Sequence, residues 1–137
     1  LNYLREILFC YLRVSTKGQE EDGHSIENQR AIGKRLARKL DMTYYELNEG
    51  AKSSSRGERP VFEELKNLIM RGQLKHLWYY SRSRYTRTSI EDLLMKQNYF
   101  EPYKTKIYEG ESGILRNFKD ASSSMLDEML TTVQQFD

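Results

Sequence analysis

Cysteine, histidine and proline are scarce in this chain of 137 residues, and each shortage narrows what the protein can be. The single cysteine, Cys10, excludes an internal disulfide and fits a reducing compartment. Its place inside an apolar run assigns it to packing as a small hydrophobe. His24 and His76 lack partners at metal-ligand spacing, and the acidic run Glu20-Glu21-Asp22 reads as a solvated loop, so no metal and no other cofactor is expected. Gly57 and Gly72 form neither a phosphate loop nor a dinucleotide fingerprint. No apolar run approaches the length of a membrane span. The N-terminus also lacks the basic segment, apolar core and cleavage site of a signal peptide, so a cytoplasmic location without a membrane partner is expected. Charge of one sign is missing as well. Against 20 acidic residues stand 22 basic ones, a net +2, too even to announce nucleic-acid binding by itself. Any phosphate partner has to be argued from where particular arginines stand.

What is present is one domain's worth of chain with strands and helices in alternation. Ile7 to Val14 is an apolar run that reads as a buried strand. Lys17 to His24 is polar and reads as a loop. Ser25 then caps a helix, with Glu27 in its positive first turn and Ile26, Gln29, Ile32, Leu36 and Leu40 at helical spacing. Met42 to Leu47 reads as strand two, and Asn48 to Arg59 as a long loop of the kind that is often functional. Pro60 suits the first turn of a helix striped by Val61, Phe62, Leu65, Leu68 and Ile69 and closed by Gly72. Leu74 to Tyr80 reads as strand three, in which Trp78 and the Tyr79-Tyr80 pair fit a buried strand better than a stacking platform. A polar, arginine-rich exit follows from Ser81 to Arg87. Ser89 is expected to cap a helix carrying Ile90, Leu93, Leu94, Gln97 and Phe100, with Pro102 at its end. Lys106 to Glu109 reads as strand four and Gly110 to Asp120 as a polar loop. Ser122 or Ser123 opens a last helix bearing Met125, Leu126, Met129, Leu130, Val133 and Phe136, whose stripe suits packing on the parent domain or an association surface. The alternation predicts an α/β fold with a mostly parallel central sheet and helices on both faces.

Three of the predicted strand exits carry the groups that matter chemically. In an open α/β sheet the carboxyl ends of the strands are where ligands bind. Strand one ends in Tyr11-Leu12-Arg13-Val14-Ser15, and period 2 turns Tyr11, Arg13 and Ser15 to one side. Arg59 closes the loop after strand two, and Arg84 and Arg87 follow strand three. Singly these are ordinary surface arginines beside a turn serine. Together, several guanidinium forks around one hydroxyl describe a site for phosphoryl transfer, since such forks bind phosphate oxygens and offset charge as the transition state forms. Arg56, Arg82 and the basic residues of the first helix read as solvated.

These residues resemble the catalytic domain of the serine site-specific recombinases, the resolvase and DNA-invertase family, over nearly all of residues 7 to 136. The opening motif of that family stands here as Tyr11-Leu12-Arg13-Val14-Ser15-Thr16 with Gln19. Its first-helix glutamine appears as Gln29 within Ser25-Ile26-Glu27-Asn28-Gln29-Arg30. The serine-rich loop leading to an arginine appears as Ser53-Ser54-Ser55 through Arg59-Pro60. The Asp-Arg-x-x-Arg motif stands as Ser83-Arg84-Tyr85-Thr86-Arg87, with serine where the family usually has aspartate. The wording around Gly23-His24-Ser25-Ile26 and Glu58-Arg59-Pro60 is closer to the large serine recombinases than to the small resolvases.

The resemblance implies a three-layer α/β/α fold and a DNA strand transferase without ATP or metal. It implies Ser15 as nucleophile, forming a 5′-phosphoserine link, and Arg13, Arg59, Arg84 and Arg87 as holders of the scissile phosphate. Tyr11, Gln19, Gln29 and Ser83 would be supporting residues. The implied partners are double-stranded DNA and further copies of the chain, a homodimer that assembles into a synaptic tetramer. In this layout residues 1–120 form the catalytic domain and 121–137 begin a long, truncated dimerisation helix, with the DNA-binding region outside the sequence. Two rival readings remain at this stage. One is a recombinase-like module that assembles on DNA without cutting, for which Ser83 is the suspect position. The other is a phosphatase or nucleotide enzyme on a doubly wound sheet, which lacks a visible phosphate loop, metal set or reactive cysteine.

Overall fold

A computed structural model describes residues 4–14, 25–51 and 58–118. In chain order these form β1 (Ile7–Arg13), α1 (Ile26–Lys39), β2 (Thr43–Gly50), α2 (Pro60–Met70), β3 (His76–Tyr79), a 3-10 turn (Arg82–Arg84), α3 (Ser89–Met95) continued by a π-helical turn (Lys96–Phe100), β4 (Lys106–Glu109) and β5 (Ile114–Leu115). The sheet order is β2-β1-β3-β4-β5. The first four strands run parallel and β5 pairs antiparallel to β4.

Period 2 divides the strand side chains between two cores. Leu8, Cys10, Leu12, Trp78 and Tyr108 face α1 and pack on Ile32, Leu36 and Ala37. Phe9, Tyr11, Leu47, Leu77, Tyr79 and Ile107 face the other way, onto Phe62, Leu65 and Ile69 of α2 and onto Met95 and Phe100. Both faces of the sheet are therefore covered, as parallel strands require. The α1 layer lies close because residue 33 is glycine. A Cβ there would sit 3.1 Å from Cys10 Sγ and 3.1 Å from Tyr44 Cε1. Cys10 is fully buried, and burial pushes its thiol up, as befits a packed rather than reactive cysteine.

Helix starts follow their local chemistry, with one correction. Ser25 caps α1 by accepting from the Asn28 N–H at 3.1 Å. For α3 the cap is Thr88 rather than Ser89: its extended backbone places Oγ1 3.1 Å from the Glu91 N–H, and Ser89 becomes the first helical residue. The stripe expected for that helix also differs. Asp92 and Met95 are buried while Leu94 is 48% exposed. The wider π turn, with Glu101 N–H donating to Lys96 C=O at 2.9 Å, adds one residue to the last turn, so Met95 and Phe100, five apart, both reach one core. Two loops are also shorter than expected: β2 runs three residues past Leu47, and the segment after β4 contains β5. The serines 53–55 and the helix expected after Ser122 or Ser123 lie outside the described residues.

Candidate active site

The carboxyl end of β1 is the focus. A register irregularity between Leu12 and Arg13 re-aims the strand where it leaves the sheet. Gln29 of α1, fully buried, donates Nε2 to the Arg13 carbonyl at 3.1 Å and fixes that exit. The Arg13 side chain is only 3% exposed. Its Nε donates to the Arg84 carbonyl at 3.3 Å and its Nη2 to the Ser83 carbonyl at 2.5 Å. Nη1 is buried and has no hydrogen-bond partner among the described residues. Burial, followed by the positive charges of Arg59, Arg84 and Arg87, holds the Arg13 guanidinium below its ordinary value, while Tyr11 acts in the other direction. Arg59, Arg84 and Arg87 are thus each close enough to Arg13 to repel it.

Arg59 reaches the same turn from α2. It donates Nη1 to the Tyr85 carbonyl at 3.1 Å, pairs through Nη2 with Glu91, and lies over the Phe62 ring at 4.2 Å. Tyr11 connects the two sides: its hydroxyl donates to Glu49 Oε1 at 2.7 Å. Glu49, 3% exposed, also accepts the Val61 and Phe62 N–H groups at 3.1 and 2.9 Å. A carboxylate at the positive end of α2 replaces the cap that Arg59, lacking a side-chain bond of that kind, does not provide. Arg84 is buried and Arg87 exposed. Ser83 contributes its main-chain carbonyl to Arg13, and its hydroxyl meets Ser81 Oγ at 3.1 Å. Ser15 and Gln19 lie outside the described residues, as does Arg56.

Behind this turn is a second, fully paired set of charges. Arg116 makes a bidentate pair with Asp92 at 3.0 and 3.1 Å, both side chains being about 95% buried at 5% and 4% exposure. Arg116 also donates to the Tyr79 hydroxyl at 2.9 Å, Tyr79 donates to Glu109 at 2.5 Å, and Tyr85 donates to Asp92 at 2.6 Å. Tyr79 and Tyr85 stack with centroids 4.2 Å apart. Arg82, expected to be merely solvated, instead binds Glu109 at 2.7 Å and approaches Asp92 at 3.6 Å. Burial opposes both charges of the Asp92–Arg116 pair and the pairing outweighs it, so Asp92 lies below its ordinary carboxylate value and Arg116 above its ordinary guanidinium value.

Sequence reasoning missed Glu49, Glu91, Asp92 and Arg116. Glu49 carried a signal, since it stands two residues after Leu47 and shares its buried face. Asp92 carried another, three residues before the buried Met95. His76, expected to bind no metal, contacts Tyr108 Oη and Glu6 Oε1 at 3.0 and 3.1 Å, at the opposite end of the strands. Among the described residues no cluster of His, Cys, Asp and Glu could hold a metal, and no helix is long and apolar enough to cross a membrane.

A parallel α/β/α sandwich with buried guanidinium groups gathered at the carboxyl edge of its sheet defines an α/β domain suited to binding an anion there. Residues 8–137 match the family described as "Resolvase, N terminal domain", and the chain belongs to that family, which serves site-specific recombination. Three solved structures share the fold. The N-terminal catalytic domain of TP901-1 integrase is 21% identical, with a TM-score of 0.70 over 96% of this chain and 95% of that one. A resolvase family site-specific recombinase from Streptococcus pneumoniae is 23% identical, with a TM-score of 0.69 over 96% and 89%. The C-terminal catalytic domain of ISC1926 TnpA, an IS607-like serine recombinase, is 21% identical, with a TM-score of 0.59 over 95% and 82%. Among curated proteins, no sequence matches the chain significantly.

Proposed function

We propose that this chain is the catalytic domain of a serine recombinase that cuts and rejoins DNA through Ser15. The Ser15 hydroxyl attacks a backbone phosphodiester, the new bond joins its Oγ to phosphorus, and the bond to the 3′ oxygen breaks. The serine loses its proton and the departing oxygen gains one, leaving a 5′-phosphoserine and a free 3′-hydroxyl. Because the ester bond is exchanged rather than hydrolysed, a 3′-hydroxyl can attack the phosphoserine in turn and reseal the strand without ATP or metal. Arg13, Arg59, Arg84 and Arg87 hold the phosphate and offset its growing charge. Gln29 and Tyr11 keep the strand exit and α2 in place, and Gln19 assists near the nucleophile.

One observation carries this reading: Arg13, two residues before Ser15, is buried and pinned by two carbonyls, with no partner for Nη1 among the described residues. A buried unsatisfied donor on a cation is costly unless an anion completes it. The rival reading, a non-cutting assembly module, rested on serine at position 83. Arg13 takes the main-chain carbonyl there, and the carboxylate on Arg59 comes from Glu91, so an aspartate at 83 is not needed to hold either arginine.

The motif wording supports a large serine recombinase of phage or mobile-element origin. The same reading assigns residues 1–120 to catalysis and 121–137 to a dimerisation helix, in a homodimer that forms a synaptic tetramer on DNA. The test uses the full-length protein and duplex DNA carrying its recombination site with a nick near the crossover, so that rejoining fails. A covalent adduct mapped by mass spectrometry to Ser15, and absent in Ser15→Ala, is expected. Specific DNA binding with no adduct would move the assignment to the assembly module.

A further inference from the structure

Among the described residues, Glu91 is a carboxylate that touches the arginine cluster directly, and the recombinase reading assigns it no role. It sits in the first turn of α3, where its own N–H is held by the Thr88 hydroxyl at 3.1 Å. Its two oxygens point to different elements. Oε2 pairs with Arg59 Nη2, at the start of α2, and Oε1 accepts the Arg87 N–H at 2.7 Å. The Arg59 side chain in that pair is 7% exposed and the Glu91 side chain 25%. The other contacts of Arg59 are a carbonyl of the same turn, Tyr85 C=O at 3.1 Å, and the face of Phe62. The hydrogen-bond partners of Arg59 thus come from α3 and the turn before it, while its own helix supplies only the Phe62 ring beneath it.

Resting on the proposed recombinase function, we propose that Glu91 is a positioning residue which sets the spacing between Arg59 and the Arg84–Arg87 turn, and so the pocket that receives the scissile phosphate. Arg59 comes from one element, and Arg84 and Arg87 from another, and like charges brought together drift apart unless something holds them. A carboxylate with one oxygen on each side does this directly. Its charge also offsets part of the repulsion before the phosphate arrives, while a fork that donates to Glu91 through Nη2 keeps a fixed plane for its remaining donors. Glutamine at this position keeps the size and one acceptor. It puts an NH2 group against either Arg59 or the Arg87 N–H, so one of the two attachments is lost while the helix start at Thr88 is retained.

The test compares wild-type full-length protein with Glu91→Gln, Arg59→Lys and the double variant on the nicked duplex carrying the recombination site. Three quantities are read: single-turnover cleavage at saturating DNA, DNA affinity, and the melting midpoint. Glu91→Gln is expected to slow cleavage roughly 10- to 100-fold, the scale on which small misplacements of positioning groups act. Affinity stays at the wild-type level, the melting midpoint falls by no more than in Arg59→Lys, which disturbs the same pair, and the double variant is no slower than Arg59→Lys, because the two residues act through one geometry. Cleavage at the wild-type rate in Glu91→Gln overturns the proposal. So does a slowing matched by a loss of affinity and a melting midpoint below that of Arg59→Lys, which would make Glu91 a structural residue only. Faster cleavage also overturns it, since Glu91 would then be masking Arg59. Absence of a Ser15 adduct in the wild type is a different result and refutes the recombinase reading on which the inference stands.

Discussion

Arg13 and Arg116 are both buried forks that spread their donors over two or more partners, yet they meet opposite things. Arg116 meets carboxylates: Asp92 takes two of its donors and Glu109 stands 3.6 Å from its Nε. Arg13 meets the carbonyls of Ser83 and Arg84 and, among the described residues, no carboxylate at all. Carbonyl dipoles orient a guanidinium without cancelling its charge. Carboxylates do both. Burial, then the neighbouring arginines, consequently holds Arg13 below its ordinary value, while pairing carries Arg116 above it despite burial. On the two sides of the turn after β3 the same residue type is used as ionic cement and, among the described residues, as a cation that meets no carboxylate. Position in the sequence does not distinguish them; the partners do.

Placing methionine at each position should break this symmetry in opposite ways. Arg116→Met leaves the buried Asp92 with only the Tyr85 hydroxyl and Arg82 at 3.6 Å, and takes one of two partners from the Tyr79 hydroxyl, so unfolding free energy should fall by about 3–5 kcal/mol, the usual cost of removing half of a buried pair. Urea titration of the variant measures it. Arg13→Met deprives two carbonyls of their donors but relieves repulsion among the arginines, so its stability cost should stay below about 1.5 kcal/mol. Strand cleavage should nevertheless fall by about 10²–10³-fold, the typical loss when a donor aimed at developing charge is removed. If Arg13→Met proves as destabilising as Arg116→Met, Arg13 is cement too, and the anion-binding role assigned to it fails.

The same contrast explains which parts of the protein were legible in its sequence. β1, α1, α2 and β4 were readable because their apolar periods are long or clean and their caps lie beside them: Ser25 before α1, and Pro60 and Gly72 around α2. The arginines at the strand exits were readable as a group, since parallel strands end on one rim; that β1 lies beside β3, which brings Arg13 to the turn after β3, came only with the sheet order. What was hidden is the set of partners. Glu49 lies past the point where the apolar signal of β2 stops, although the strand runs on to Gly50. Asp92 stands three residues before Met95 on the buried side of α3, but the partner that offsets its charge, Arg116, comes 24 residues later. A local pattern can flag such a charge without showing what meets it. The π turn is hidden for a related reason: Met95 and Phe100 share a core, and only the packed sheet requires both.

A third arginine separates pairing from burial. Arg30 of α1 forks onto Glu46 of β2 through Nε and Nη2 at 2.7 and 2.8 Å, two bonds as Arg116 makes to Asp92 through its Nη atoms, but at the surface with 34% and 23% of the side chains exposed. Bonding from Arg30 holds Glu46 down to about 2 from an ordinary 4.5, with smaller help from the Tyr44 hydroxyl and Asn48. A carboxylate whose folded value is depressed stabilises fully above its unfolded value and loses that contribution as pH falls through the folded one. The stability gap between wild type and Glu46→Gln should therefore be constant above pH 4.5 and close as the pH falls toward 2. Because solvent screens the pair, the gap at neutral pH should be below about 1 kcal/mol, and added salt should shrink it further. Urea titrations of both proteins across that pH range measure it. A Glu46→Gln cost as large as that of Arg116→Met would mean that fork geometry, not burial, makes an arginine structural here, and the contrast between Arg13, which meets no carboxylate among the described residues, and Arg116 would then rest on the carboxylate alone.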